Sequence, residues 1–207
     1  MGATIFPFDS SDTDTLLRHA DQAMYQAKQS GRNRFHLFNA SMDLQAHEHH
    51  LQLLRLQQAL AQDELLLFYQ PKINLKTNKI IGMEALLRWQ HPERGLLGPH
   101  DFLHLAEDSN LIVEMGNWVL DEALRQISAW HAAGHDWIVS VNIAARQLQS
   151  HEFFANIKSN MARNPGAPAN LLELEILEST ALEDLEHVRS IIVACQDLGI
   201  SISLDDF

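Results

Sequence analysis

Four stretches of this chain share one period-two design, and that design limits the folds open to it. Ile81 and Met83 alternate with Ile80, Gly82 and Glu84; Val139 and Val141 alternate with Ser140 and Asn142. Leu172, Leu174 and Ile176 alternate with Glu173 and Glu175; Ile200, Ile202 and Leu204 alternate with Ser201, Ser203 and Asp205. Successive side chains of a strand point to opposite faces. Each stretch therefore predicts a strand with one aliphatic face and one smaller or more polar face that ends in an oxygen ligand. Helical patterns over 151–163 and 183–197 separate the last three strands. Strands alternating with helices at about thirty residues per unit predict parallel βαβ units in an α/β fold. In a (β/α) barrel the inward faces open at the carboxyl ends of the strands, and Glu84, Asn142, Glu175 and Asp205 would converge on one mouth. An open sheet whose acids merely cap the following helices is the alternative that this pattern leaves standing.

The rest of the chain divides around this repeat. Residues 1–40 read as a short strand, a turn at Asp9–Asp14, a helix carrying Leu16, Ala20, Ala23 and Ala27, and a strand over 34–38. A helical period without Gly or Pro runs over 41–62, with Leu44, Leu51, Leu54 and Leu60 on one side. Two strand-like runs, 65–75 and 79–89, flank Thr77-Asn78 and predict a hairpin. Gly95-Leu96-Leu97-Gly98 reads as a turn, and helices are expected over about 100–109 and 115–134. The expected organisation is an amino-terminal piece over 1–40, a linker helix over 41–62 and a barrel-like domain over 63–207.

Composition narrows the function classes. With 207 residues, 46% of them hydrophobic and 20% charged, the chain can bury a core without staples. A net charge of −12 argues against a DNA or RNA polymer as partner. One cysteine, Cys195, leaves no internal disulfide framework, and no apolar run approaches the length of a membrane span. The cytoplasm is the expected compartment.

Several carboxylates and one amide at close range repel unless a cation sits among them. All-oxygen ligation favours Mg²⁺, Mn²⁺ or Ca²⁺ over zinc. Two such ions can activate a water and clamp a phosphodiester. Asp206 follows Asp205 directly, and Glu178 lies three residues past Glu175. The histidines His47, His49 and His50 lack partner cysteines or an HExxH spacing and read as a solvated helix face.

At these residues the chain resembles the EAL domain, the cyclic di-GMP phosphodiesterase family. The resemblance rests on Met83-Glu84-Ala85-Leu86-Leu87-Arg88-Trp89, on Phe68-Tyr69-Gln70-Pro71-Lys72 and on Val141-Asn142-Ile143-Ala144-Ala145-Arg146-Gln147. Glu173-Leu174-Glu175-Ile176-Leu177-Glu178-Ser179 and Leu204-Asp205-Asp206-Phe207 complete it, in family order. It implies a TIM-like (β/α)8 barrel of the EAL type and hydrolysis of cyclic di-GMP to linear pGpG with Mg²⁺ or Mn²⁺ at a two-metal site. Glu84, Asn142, Glu175, Asp205 and Asp206 match the metal ligands, and Glu178 a supporting acid. Gln70 and Arg88 match substrate contacts, Arg88 toward phosphate. Residues 1–40, with His19–Lys28 and Gly31-Arg32-Asn33, resemble the closing part of a GGDEF (diguanylate cyclase) domain without its signature loop.

The match is incomplete. Leu177 stands where the family has Thr, and His104 where it has Pro. About five of the eight strands of a barrel are accounted for, and a later lysine that positions water is not among these residues. Little turnover is therefore expected from these 207 residues alone. A non-catalytic module that binds cyclic di-GMP or a protein is the competing expectation, as is a homodimer through exposed strand edges. Trp89 is expected to support Arg88, Lys72 to be solvated or to reach a phosphate, and Cys195 to be buried and inert.

Overall fold

The computed structural model describes residues 1–29, 34–177 and 185–205. The chain divides into two compact units, Met1–Leu54 and Arg55–Phe207.

In the first unit β1 (Gly2–Ala3) pairs in parallel with β2 (His36–Leu37), and α1 (Thr13–Gln29) connects them. Asp12 starts α1: the Thr15 amide donates to its Oδ1 at 2.9 Å, and the Leu16 amide to its carbonyl at 2.9 Å. Ala23 and Ala27 are buried. The strands are shorter than the sequence predicts: the pairing covers only Gly2 with His36 and Ala3 with Leu37. The predicted helix stop at Gly31 lies outside the described residues. The helical period over 41–62 is present as α2 (Ala40–Ala61). Among residues 48–61 the buried positions are Leu56 and Ala59, at helical spacing, whereas Leu51 and Leu54 on the predicted side are exposed.

The second unit is an α/β layer structure. Its sheet runs in the order β3 (Leu65–Asn74), β4 (Lys79–His91), β6 (Ile138–Ile143), β7 (Leu172–Leu177) and β8 (Ser201–Asp205). β3 and β4 form the predicted antiparallel hairpin, turning at Thr77-Asn78, where Asn78 takes a φ of 52° and donates to the Asn74 carbonyl. β4, β6, β7 and β8 are mutually parallel, joined by helices, as the repeat predicts. The predicted turn at 95–98 is instead a strand, β5 (Gly95–Leu97), antiparallel to Trp89–His91. Gly95, at φ 73°, reverses the chain so that Leu96 and Leu97 return along β4.

The helices cover one face of the sheet. After a 3-10 turn at Pro99–Asp101 come α3 (Leu103–Ala106) and α4 (Leu111–Ala132). α4 begins four residues before its predicted start, with Asn110 at its N-cap and the Ser109 hydroxyl accepting from the Leu111 amide at 3.2 Å. α5 (Ala145–Leu148), α6 (Phe153–Arg163) and α7 (Leu185–Asp197) complete the layer. The aliphatic face of the strands (Val139, Val141, Leu172, Leu174, Ile176) packs into one core with Leu120, Leu124, Ile157, Val188 and Cys195. Cys195 is fully buried, and burial pushes its thiol up to about 11, which keeps it protonated and unreactive. Among the described residues no helix is long and apolar enough to cross a membrane.

Candidate functional site

The face of the sheet opposite the helices carries the polar set. Strand pairing places Gln70 opposite Glu84, Glu84 opposite Ser140, Asn142 opposite Glu175 and Glu175 opposite Ser203. Asn142 and Glu175 are thus lateral neighbours on adjacent parallel strands, and Glu84 lies one pleat lower. Asn142 bridges that step: its Nδ2 donates to Glu84 Oε1 at 3.0 Å. This bond leaves the Asn142 carbonyl oxygen as a neutral ligand beside two carboxylates. The backbone of Asp205 pairs with Leu177, one strand further. Glu178 and Asp206 lie outside the described residues, as does the side chain of Asp205. Among the described residues no three His, Cys, Asp or Glu side chains converge on a metal position. The described part of the predicted set is two carboxylates and one amide, and its all-oxygen chemistry fits a hard divalent cation.

Below this set lies a network that strand parity contained but sequence reasoning did not assign. Lys72 reaches from β3 to β6 and β7. Its Nζ donates to Ser140 Oγ at 2.5 Å and to Glu175 Oε1 at 2.5 Å, and lies 3.3 Å from Glu173 Oε2. The Ser140 hydroxyl, fully buried, donates onward to Glu173 Oε2 at 2.5 Å. Burial works to lower the Lys72 pKa, but the hydrogen bonds and charges of Glu175 and Glu173 outweigh it and hold the ammonium above its ordinary range. The Lys72 side chain stays 37% exposed, and its ammonium is engaged by Ser140, Glu173 and Glu175, partners that the sequence reading did not assign. Ser140 and Glu173 share the parity of Asn142 and Glu175, and that was the signal available.

Arg88 and Trp89 point to opposite faces of β4, as neighbours in a strand must. The Arg88 guanidinium lies 5.7 Å over the Phe68 ring and donates to the Leu87 carbonyl at 2.8 Å. Phe68, not Trp89, is what supports Arg88. Trp89 is buried against Phe102 on the helix side, and its Nε1 donates to Glu64 Oε2 at 2.9 Å. Arg55, near the end of α2, closes the group: its Nη2 contacts both Glu64 oxygens at 2.7 and 2.8 Å, with the guanidinium 5.4 Å from the Trp89 ring. The Trp89 hydrogen bond and then Arg55 hold the Glu64 carboxyl below its usual range. A depressed folded pKa contributes stability above the unfolded value of about 4.3, lost as the pH falls through the folded value. Glu64→Gln is therefore expected to lower the Tm at neutral pH and to converge progressively with the unmodified chain as the pH falls from about 4.3 through the lower folded value. Circular dichroism melts across that range check it; parallel curves would contradict it.

A cavity of about 330 Å³ opens beside Asn142 and Glu175, walled by Leu86, Met115, Glu107 and Gln147. Gln147 is almost fully buried, and neither atom of its carboxamide has a hydrogen-bond partner. Two histidines near the end of α4 have partners of their own. His131 pairs with Asp136 at 2.7 Å, and His135 stacks on Trp137 at 4.2 Å.

Comparison with known proteins agrees with this architecture. The EAL domain family model matches residues 53–207, and the diguanylate cyclase GGDEF domain model matches residues 1–34. A Pseudomonas aeruginosa protein named bifunctional diguanylate cyclase/cyclic di-GMP phosphodiesterase MucR is 43% identical over the whole chain. An Escherichia coli protein named cyclic di-GMP phosphodiesterase PdeR is 38% identical, also over the whole chain. The chain spans about 30% of the length of these relatives, 30% and 31% respectively. Among solved structures, the PaMucR phosphodiesterase in complex with c-di-GMP superposes with a TM-score of 0.72 at 43% identity. That match covers 75% of this chain and 64% of the other. The Xanthomonas citri FimX EAL domain in complex with c-diGMP superposes at 0.70 and 25% identity, covering 78% and 62%. By the sequence motifs, the sheet that carries them and the family match over residues 53–207, the chain belongs to the EAL domain family.

Proposed function

We propose that residues 53–207 form the metal- and phosphate-binding side of a cyclic di-GMP phosphodiesterase site. The observation that carries the reading is the placement of Glu84, Asn142 and Glu175 on one face, linked by the Asn142–Glu84 hydrogen bond. Relatives named as cyclic di-GMP phosphodiesterases supply the ligand class.

In this reading Glu84, Asn142 and Glu175 hold a divalent ion, Mg²⁺ or Mn²⁺, together with Asp205, while Asp206 serves a second ion and Glu178 steadies the set. An ion held there supplies Lewis-acid charge to the phosphate and lowers the pKa of a water for in-line attack on phosphorus. Arg88, carried on the Phe68 ring, binds and orients a phosphate, for which a guanidinium fork is suited. Gln70, opposite Glu84, contacts the dinucleotide from β3. The cavity beside Asn142 is large enough for one base but not for the dinucleotide, and the unpartnered Gln147 carboxamide offers that base a hydrogen-bonding edge.

Turnover by these 207 residues alone is expected to be low. The inner face is open to water, with Leu66 40% and Phe68 45% exposed, and an open face cannot enclose the reacting phosphate. Incubation with cyclic di-GMP and Mg²⁺ or Mn²⁺, followed by equilibrium dialysis and chromatography, tests both parts. Retention of the dinucleotide with little linear product is expected. Robust hydrolysis would overturn the low-turnover claim, and no retention would overturn the site. Self-association through the exposed edges of β3 and β8 belongs to the same proposal; sedimentation velocity showing only monomer would remove it.

A further inference from the structure

Lys72 is the one ammonium among the described residues that contacts two carboxylates of the inner face. Glu173 and Glu175 are two residues apart on β7, so both point to the same side, about 6.6 Å apart along the strand. Two like charges held so on a partly dry surface repel. The Lys72 Nζ contacts both and also the buried Ser140 hydroxyl, which is itself bonded to Glu173. These partners lie two and three strands away from β3 in the sheet order. The strand register clears the path. Lys72 pairs with Gly82, which presents no side chain, and a Cβ there would lie 2.6 Å from the Ile138 carbonyl oxygen.

We infer that Lys72 is a resident cation of the inner face: a tethered ammonium that keeps Glu173 and Glu175 together without a metal ion. It also fixes one oxygen of Glu175, Oε1. Lys72 is then a positioning residue, acting on a bound ion through Glu175. Its role toward an ion rests on the proposed placement of Glu175 in the metal set; its role between the two carboxylates does not.

The test compares melting of the full 207-residue chain with Lys72→Met, Lys72→Arg and the double variant Lys72→Met/Glu173→Gln, each in EDTA and in excess Mg²⁺. In EDTA, Lys72→Met is expected to melt at least about 2 °C below the unmodified chain, a modest shift because the ion pair is only partly buried. Lys72→Arg keeps the charge and most of the Tm. The double variant regains much of the loss, because a single carboxylate remains. Lys72→Met melting with the unmodified chain, or a loss that neither Arg nor the Glu173→Gln change returns, would overturn the inference. Should Lys72→Met fail to fold in EDTA, a folded double variant supports the inference and an unfolded one overturns it. The Mg²⁺ arm reads the metal set separately. Because Lys72 positions Glu175, a divalent ion should raise the Tm of the unmodified chain more than that of Lys72→Met, and an equal or larger rise in Lys72→Met would remove the positioning role. If Mg²⁺ shifts neither protein, the proposed metal site fails while the EDTA comparison still decides the role of Lys72.

Discussion

A Glu84→Gln chain is expected to fold like the unmodified protein and to bind Mn²⁺ at least about 100-fold more weakly. Outer-shell partners of metal ligands already cost 10–100-fold when removed, so a ligand itself belongs at the upper end or beyond. The substitution keeps the size of the side chain and its capacity to accept from Asn142 Nδ2, so the local geometry has no reason to move. What it removes is one negative charge and an anionic oxygen, the two properties a hard cation selects. Glu84 also stands apart from the Lys72 network, so the change leaves the cation between Glu173 and Glu175 in place. Isothermal titration with Mn²⁺ and a melt on the same sample separate the two effects. Unchanged affinity would remove Glu84 from the set. Lost affinity with a collapsed melt would make its role structural.

Leu174→Ala is expected to cost about 2–5 kcal/mol in urea denaturation, the range for truncating a large aliphatic side chain in a close-packed core. Leu174 is fully buried on β7, between β6 and β8 and under the helix layer. The same strand turns Glu173 and Glu175 to the other face, so it joins the core to the site. A substitution that loosens β7 therefore also loosens the position of Glu175. A loss below about 1 kcal/mol would mean that the helices collapse onto the vacancy, contrary to the tight packing of this core.

Strand parity made the core and half of the site legible. Val139, Val141, Leu174 and Ile176 fall on the helix face because alternation with a period of two allows only two faces, and one must be apolar. The same alternation set Glu84, Asn142 and Glu175 on the opposite face. The repeat spacing gave the parallel order of β6, β7 and β8.

Other features depended on tertiary contacts that no local pattern carries. The partners of Lys72 are 68, 101 and 103 residues away in the chain, so its neighbourhood after Pro71 held no trace of them. β5 looked like a turn because Gly95 and Gly98 bracket it; only the pairing with Trp89–His91 makes it a strand. Trp89 was assigned to Arg88 by adjacency, but adjacency in a strand is separation in space. Glu64, 25 residues away, is its partner. Glu178 and Asp206 rest on the motifs alone.

The most direct measurement of the central claim is calorimetric titration of the 207-residue chain with cyclic di-GMP, with Mn²⁺ and with EDTA. Saturable, one-to-one heat is expected in Mn²⁺, with a much smaller signal in EDTA and loss of the Mn²⁺ signal in Glu84→Gln. Absence of heat in both conditions, or equal binding by Glu84→Gln, would contradict it.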